Sequence, residues 1–205
     1  MAKSKIVHFV RHCKPQKHER GYTLDFLTPE GITHAELVAK RFAKKTIIIS
    51  SPYNRTLETA CKLKEKLDSR IIENSNWGEI SMGIYTSKPY SDFLENWGKE
   101  NNSFDYIPPK GESVNNGRKR ILQGVKELLS LKNDEIICVT HASIIANLRM
   151  MVEGISFESA KPKYGEGFTL CINKEDLSIF NLSCKSGVKI KDLDNYLNNQ
   201  RHEEI

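Results

Sequence analysis

Three short runs of apolar, mostly β-branched residues limit what this chain can fold into: Ile6-Val7-His8-Phe9-Val10, Thr46-Ile47-Ile48-Ile49-Ser50 and Glu135-Ile136-Ile137-Cys138-Val139-Thr140. Nearly unbroken apolar runs of this length read as buried strands. Between them, apolar residues recur at helical spacing. Thr28 suits a helix N-cap, Pro29 the first helical position and Glu30 the positive helix end, and Ala35, Val38, Ala39 and Phe42 then mark one face. Ser51-Pro52 repeats the device before a second helix with Leu57, Ala60, Cys61 and Leu67 inward. Ser113 caps a third, with Ile121, Val125, Leu128 and Leu129 on its buried face. Strands separated by helices predict an α/β fold, a three-layer α/β/α sandwich with a mostly parallel central sheet.

The remaining elements are weaker. Lys14 to Phe26 reads as polar and turn-like, and Arg70 to Asn74 as a strand. Phe168 to Ile172 and Ile179 to Leu182 read as a final pair of strands joined by a hairpin-like turn at Asn173 to Asp176. The polar tail from Lys185 has a short amphipathic pattern at Leu193, Tyr196 and Leu197, a short helix or a frayed end. The chain's 205 residues suit a single domain over 1–205, with an insertion at about 84–110 that would cap the site. That insertion carries Tyr85, Tyr90, Phe93, Trp97, Phe104 and Tyr106, and a short helix is expected near Tyr90 to Trp97.

Composition removes several function classes. Five cysteines without paired spacing predict reduced thiols, with Cys61, Cys138 and Cys171 in the core, and no metal site. No run approaches the ~20 apolar residues of a membrane span. No apolar leader precedes the first strand, so a cytoplasmic protein is expected. The net charge of +5 is spread among acidic neighbours, without the basic stripe of a nucleic-acid binder. It would still steer an anionic substrate. Nothing in the sequence separates a monomer from a homodimer.

Chemistry concentrates where two of the apolar runs end. The first stops on Arg11-His12 and the third on His141. Arg55 falls in the first turn of the helix after the second run. In open α/β sheets ligands bind at that carboxyl edge. An arginine fork matches phosphate or carboxylate oxygens, and an imidazole serves as base, acid or nucleophile near neutral pH.

Six segments then resemble one family in order. Val10-Arg11-His12-Cys13 is similar to the Arg-His-Gly signature of the histidine phosphatase superfamily, which includes the cofactor-dependent phosphoglycerate mutases. Leu27-Thr28-Pro29-Glu30-Gly31 resembles its Leu-Thr-x-x-Gly segment, and Ser50 to Ala60 its Ser-Ser-x-x-x-Arg-x-x-x-Thr-Ala segment. Trp77 to Gly83 resembles its glutamate loop, Gly111-Glu112-Ser113 its Gly-Glu-Ser element, and Thr140-His141-Ala142 its Ser-His-Gly element. The resemblance implies a phosphoglycerate mutase-like fold. It also implies a metal-independent phosphomonoester hydrolase, without cofactor, acting on a small phosphorylated metabolite.

In this reading His12 attacks phosphorus, and Arg11, Arg55, His141 and Ala142 surround the phosphoryl oxygens. Glu79 protonates the leaving oxygen, with Glu58 and Glu112 as rival carboxylates. Lys14, Lys17 and His18 would shape the leaving-group side. Cys13 stands where the family has glycine, and Ala142 and Ser143 where it often has two, so their side chains are expected to narrow or shift the pocket. Three other readings remain: a mutase of the same superfamily, a non-catalytic phosphate-ligand-binding protein, and a cysteine-dependent phosphatase. The last needs arginine six places after Cys13, where Glu19 stands.

Overall fold

The computed structural model describes residues 4–19, 23–43, 45–89, 91–93, 95, 104–182 and 187–199. Its strands are β1 (Ser4–Arg11), β2 (Pro15–Lys17), β3 (Thr23–Leu27), β4 (Ile47–Ser50), β5 (Ile71–Glu73), β6 (Glu135–Thr140), β7 (Gly167–Asn173), β8 (Ser178–Asn181) and β9 (Gly187–Lys189). The helices are α1 (Pro29–Ala39), α2 (Asn54–Leu67), α3 (Val114–Ser130), α4 (Ala142–Glu153), α5 (Phe157–Ala160) and α6 (Ile190–Asn199).

The three apolar runs lie together inside a seven-stranded sheet of order β5-β4-β6-β1-β7-β8-β9. β5, β4, β6 and β1 run parallel, and β7, β8 and β9 extend the sheet antiparallel. Because side chains alternate along a strand, each run feeds two cores. Val7, Phe9, Ile47, Ile49, Ile136 and Cys138 face one, filled by Ile121, Val125 and Leu128 of α3 and Ile144, Ile145 and Leu148 of α4. Val10, Ile48, Ile137 and Val139 face the other, filled by Ala35 and Val38 of α1 and Ala60 and Leu63 of α2. Helices on both faces follow directly from strands that are apolar on both sides.

Register positions the site. β1 pairs with β6 so that Arg11 lies opposite Thr140, and β4 pairs with β6 so that Ser50 lies opposite Val139. The ladder continues one step beyond the strands: the His12 amide donates to the Thr140 carbonyl at 2.9 Å, and the Ser51 amide to the Val139 carbonyl at 3.1 Å. Three strand ends are thereby level at one edge.

Two helix starts behave as their residues dictate. Thr28 Oγ1 accepts from the Gly31 amide at 3.0 Å and Ser113 Oγ from the Asn116 amide at 3.1 Å, relieving amides that have no partner inside the helix. Ser51-Pro52 does not: α2 begins at Asn54 and its N-cap Tyr53 makes no side-chain bond. The Ser51 hydroxyl is used by a histidine instead.

Other expectations need correction. The stretch Lys14 to Phe26 contains the antiparallel pair β2 and β3. β3 is fastened to α2 by side chains rather than by an apolar pattern: Glu58 Oε2 accepts from the Leu27 amide at 2.6 Å, and Asp25 Oδ2 from the Asn54 amide at 3.2 Å. Cys61 is exposed on α2, while Cys138 and Cys171 are buried as expected. Of the two readings of the tail, the helix holds: residues 187–199 form β9 and α6, with Leu193 and Leu197 in the first core. Within the expected insertion, residues 91–93 and 95 are helical, while Tyr90 and Trp97 lie outside the described residues.

The loop after β5 packs on α3 through a helical glycine. A Cβ on Gly124 would lie 2.8 Å from Cζ2 of the buried Trp77 ring. Gly124→Ala should therefore destabilise the fold. Overpacking costs about 1–3 kcal/mol, against at most ~1 kcal/mol gained in helix propensity. Urea unfolding should show a lower midpoint at unchanged slope.

Candidate active site

The site is built from the carboxyl ends of the parallel strands. Next after β1, His12 is 4% exposed. Its Nδ1 lies 2.8 Å from the carbonyl oxygen of Cys13. A carbonyl only accepts, so Nδ1 carries the proton and Nε2 keeps its lone pair. Burial, reinforced by the charges of Arg55 and Arg11, lowers the pKa of His12 to about 3 against the pull of that carbonyl. The ring is a neutral imidazole with one basic nitrogen uncommitted.

His141 follows β6 and is fully buried. Its ring centroid is 5.3 Å from that of His12. Arg55 Nη2 stands 3.3 Å from His141 Nδ1, and Ser51 Oγ 2.8 Å from Nε2. A guanidinium only donates, so Nδ1 accepts and Nε2–H donates to the serine. Burial, with Arg55, His12, Arg11 and Arg120 nearby, holds the pKa of His141 well below its usual value. A dianion among these groups would reverse the sign and favour the imidazolium.

The arginines are oriented by groups outside the pair of rings. Arg55 Nη1 donates to Asp25 Oδ1 at 3.0 Å, and its guanidinium lies 4.5 Å from the Tyr53 ring centroid. Arg11 Nη1 donates to the Pro162 carbonyl at 2.8 Å, and its guanidinium lies 3.9 Å over the Tyr164 ring. Among the described residues, the Nε atoms of both are buried with no acceptor. Two half-buried cationic forks beside two neutral imidazoles make a place for an anion.

Glu79 enters from the loop after β5. That loop is pinned from α3 by Arg120, whose Nη1 donates to the carbonyls of Ser75 at 3.2 Å, Asn76 at 2.8 Å and Gly78 at 2.9 Å. Nε and Nη2 of Arg120 pair with both carboxylate oxygens of Glu112 at 2.9 and 2.6 Å. Thr140 Oγ1 adds a bond to the Trp77 carbonyl at 2.6 Å. The Ile80 amide donates to Glu79 Oε1 at 3.1 Å, and Ser143 Oγ, at the start of α4, donates to the same oxygen. Burial lowers the pKa of Arg11, and Tyr164 and Glu79 lie near enough to the guanidinium to oppose that shift.

A family model described as the histidine phosphatase superfamily, branch 1, matches residues 7–169. The chain belongs to that superfamily. A candidate phosphoserine phosphatase of Hydrogenobacter thermophilus is 29% identical over 168 residues, covering 76% of this chain and 82% of that protein. A 2,3-bisphosphoglycerate-dependent phosphoglycerate mutase of Bartonella bacilliformis is 26% identical over 155 residues, covering 70% and 72%. Among solved structures, a mycobacterial glucosyl-3-phosphoglycerate phosphatase superposes with a TM-score of 0.64 at 17% identity, over 82% of this chain and 90% of that one. A phosphoglycerate mutase from Bacillus anthracis does so with 0.70 at 13% identity, over 94% and 96%. At those identities the structures speak for the fold alone.

Within this superfamily fold, the expected His12, His141, Arg11 and Arg55 are brought together, Ala142 opens α4 beside His141, and Glu79 is placed near Arg11. The rival carboxylates are occupied elsewhere: Glu58 holds β3 and Glu112 holds Arg120. The Lys14 ammonium pairs with Glu30 on the surface, and Lys17 is exposed on β2. Cys13 is fully buried among Val10, Leu27, Ala35 and Ala60, so its side chain adds to the second core. Burial pushes its thiol up to about 11, which leaves no thiolate near neutral pH. Residue reading missed Asp25, Arg120 and Tyr164, took Ser51 for a helix cap, and gave Ser143 no partner. None stands in an apolar pattern, and each matters through a partner 30 or more places away in the chain.

A lowered histidine pKa has a consequence for stability. Between pH 6.5 and about 3 the unfolded chain protonates His12 while the folded chain does not. The unfolded state binds more protons there, so stability contributed by neutral His12 is present above 6.5 and lost as pH falls. The thermal midpoint should drop more steeply across that window in the wild type than in His12→Asn, which has nothing to titrate at this position.

Proposed function

We propose that this chain is a metal-independent phosphomonoester hydrolase that works through a phosphohistidine on His12, with a small phosphorylated metabolite as substrate. The observation that carries the reading is the bond from His12 Nδ1 to the Cys13 carbonyl, which commits one nitrogen as donor and leaves Nε2 as nucleophile. Membership of the superfamily supports it, as does the name of the phosphoserine phosphatase relative.

Nε2 attacks phosphorus and the ester P–O bond breaks. The departing oxygen takes a proton from Glu79, the general acid. Arg11, Arg55, a protonated His141 and the amide of Ala142 hold the phosphoryl oxygens, where charge is spread during transfer. Water then attacks the phosphohistidine and gives a proton to the Glu79 carboxylate. The P–N bond breaks, and His12 regains its lone pair. Lys14, Lys17 and His18 would shape the leaving-group side. Residues 1–205 act as one domain, with the segment at about 84–110 as its cap.

A second reading has its own support, since the Bartonella relative is named a phosphoglycerate mutase. A mutase interconverts 2- and 3-phosphoglycerate without net release of phosphate. The test is a panel of phosphorylated metabolites, including phosphoserine and both phosphoglycerates, with a metal chelator present. We expect phosphate release from at least one compound, none with His12→Ala, and turnover largely intact with Cys13→Ser. Interconversion without release would replace the hydrolase reading by the mutase. Loss of activity with Cys13→Ser and survival with His12→Ala would overturn both.

A further inference from the structure

We propose that Ser143 is a positioning residue for Glu79: its hydroxyl, together with the Ile80 amide, fixes one carboxylate oxygen and so presents the other to the leaving group. The proposal rests on the assignment of Glu79 as the general acid.

The hydrogen-bond pattern around this carboxylate is asymmetric. Oε1 receives both donors, Ser143 Oγ from α4 and the Ile80 amide at 3.1 Å. Oε2 receives none among the described residues. A protonated carboxyl has one hydrogen, and the oxygen already accepting two bonds is the poorer place for it. The proton therefore sits on Oε2. As the P–O bond breaks, its electron pair stays on the ester oxygen and the Oε2 proton moves to it. Ser143 keeps its own proton throughout.

Ser143 is well suited to hold a fixed direction. It is the second residue of α4, so its hydroxyl stands at the positive end of a twelve-residue helix, where the carboxylate left after proton transfer is favoured. Its carbonyl accepts from Nδ2 of Asn147 at 2.9 Å, and the buried Asn147 Oδ1 accepts from Arg118 Nε at 2.9 Å. The Arg120 and Thr140 bonds hold the backbone of the Glu79 loop, whereas Ser143 is the contact from outside that loop that reaches the carboxylate itself. Where the resemblance leads one to expect glycine, this chain has a hydroxyl with a partner.

The test uses para-substituted phenyl phosphates, whose leaving groups range from nitrophenol, which departs without help, to methoxyphenol, which needs a proton. In Ser143→Ala, kcat/KM should fall about 10- to 100-fold for the methoxy ester and by no more than about 3-fold for the nitro ester, as expected when an acid is misaligned. Ser143→Thr should restore the loss. In a Glu79→Gln background, Ser143→Ala should cost nothing further. Equal loss across the series, or the same loss in the Glu79→Gln background, would overturn the role of Ser143. No leaving-group dependence in Glu79→Gln alone would remove Glu79 as the acid, and this proposal with it.

Discussion

Hydrogen bonds between β1 and β6 set Arg11 opposite Thr140, and one further bond ties the His12 amide to the Thr140 carbonyl. The two histidines follow their strands at the same level because of this pairing, and the β4–β6 pairing brings Ser51 and then Arg55 to the same height. A shift of one residue in either ladder would turn every side chain to the opposite face, exchanging the two cores as well as dispersing the site. Packing and chemistry are thus fixed by one register. The apolar alternation that specifies the cores also specifies where the imidazoles end.

The energetics of the site oppose those of the fold. Half-burying two guanidinium groups beside two imidazoles is unfavourable, and the chain meets it by keeping both rings neutral and by giving the arginines partial partners in Asp25, Pro162, Tyr53 and Tyr164. The unused Nε donors leave that compensation incomplete. In the proposed reaction a phosphoryl dianion would offset the remaining positive charge. The glutamate loop is stiffened separately, by Arg120 and by the fit of Trp77 against Gly124.

Much of this was legible in the sequence because it rests on local pattern. Buried strands ending on Arg11-His12 and His141, the Thr28 and Ser113 caps, and Arg55 at a helix start are all read within a few residues. What was not legible depends on distant partners. Ser51 looks like a cap and serves His141 instead, because α2 begins three residues later. The strands β2 and β3 are short, polar and held by Glu58 and Asp25, so no apolar alternation announces them. Cys61 follows the helical spacing of Leu57 and Ala60 yet lies toward solvent, since the buried stripe of α2 runs through Thr56, Thr59, Ala60 and Leu63. Cys13 looked like an intrusion into the phosphate pocket and is core packing.

The most direct measurement is capture of the covalent intermediate. Enzyme quenched during turnover of a phosphorus-labelled substrate should carry one label that is lost in acid and kept in base, and that maps by peptide sequencing to His12. A label stable in acid, a label on Cys13 or on a serine, or full turnover by His12→Ala would contradict the account.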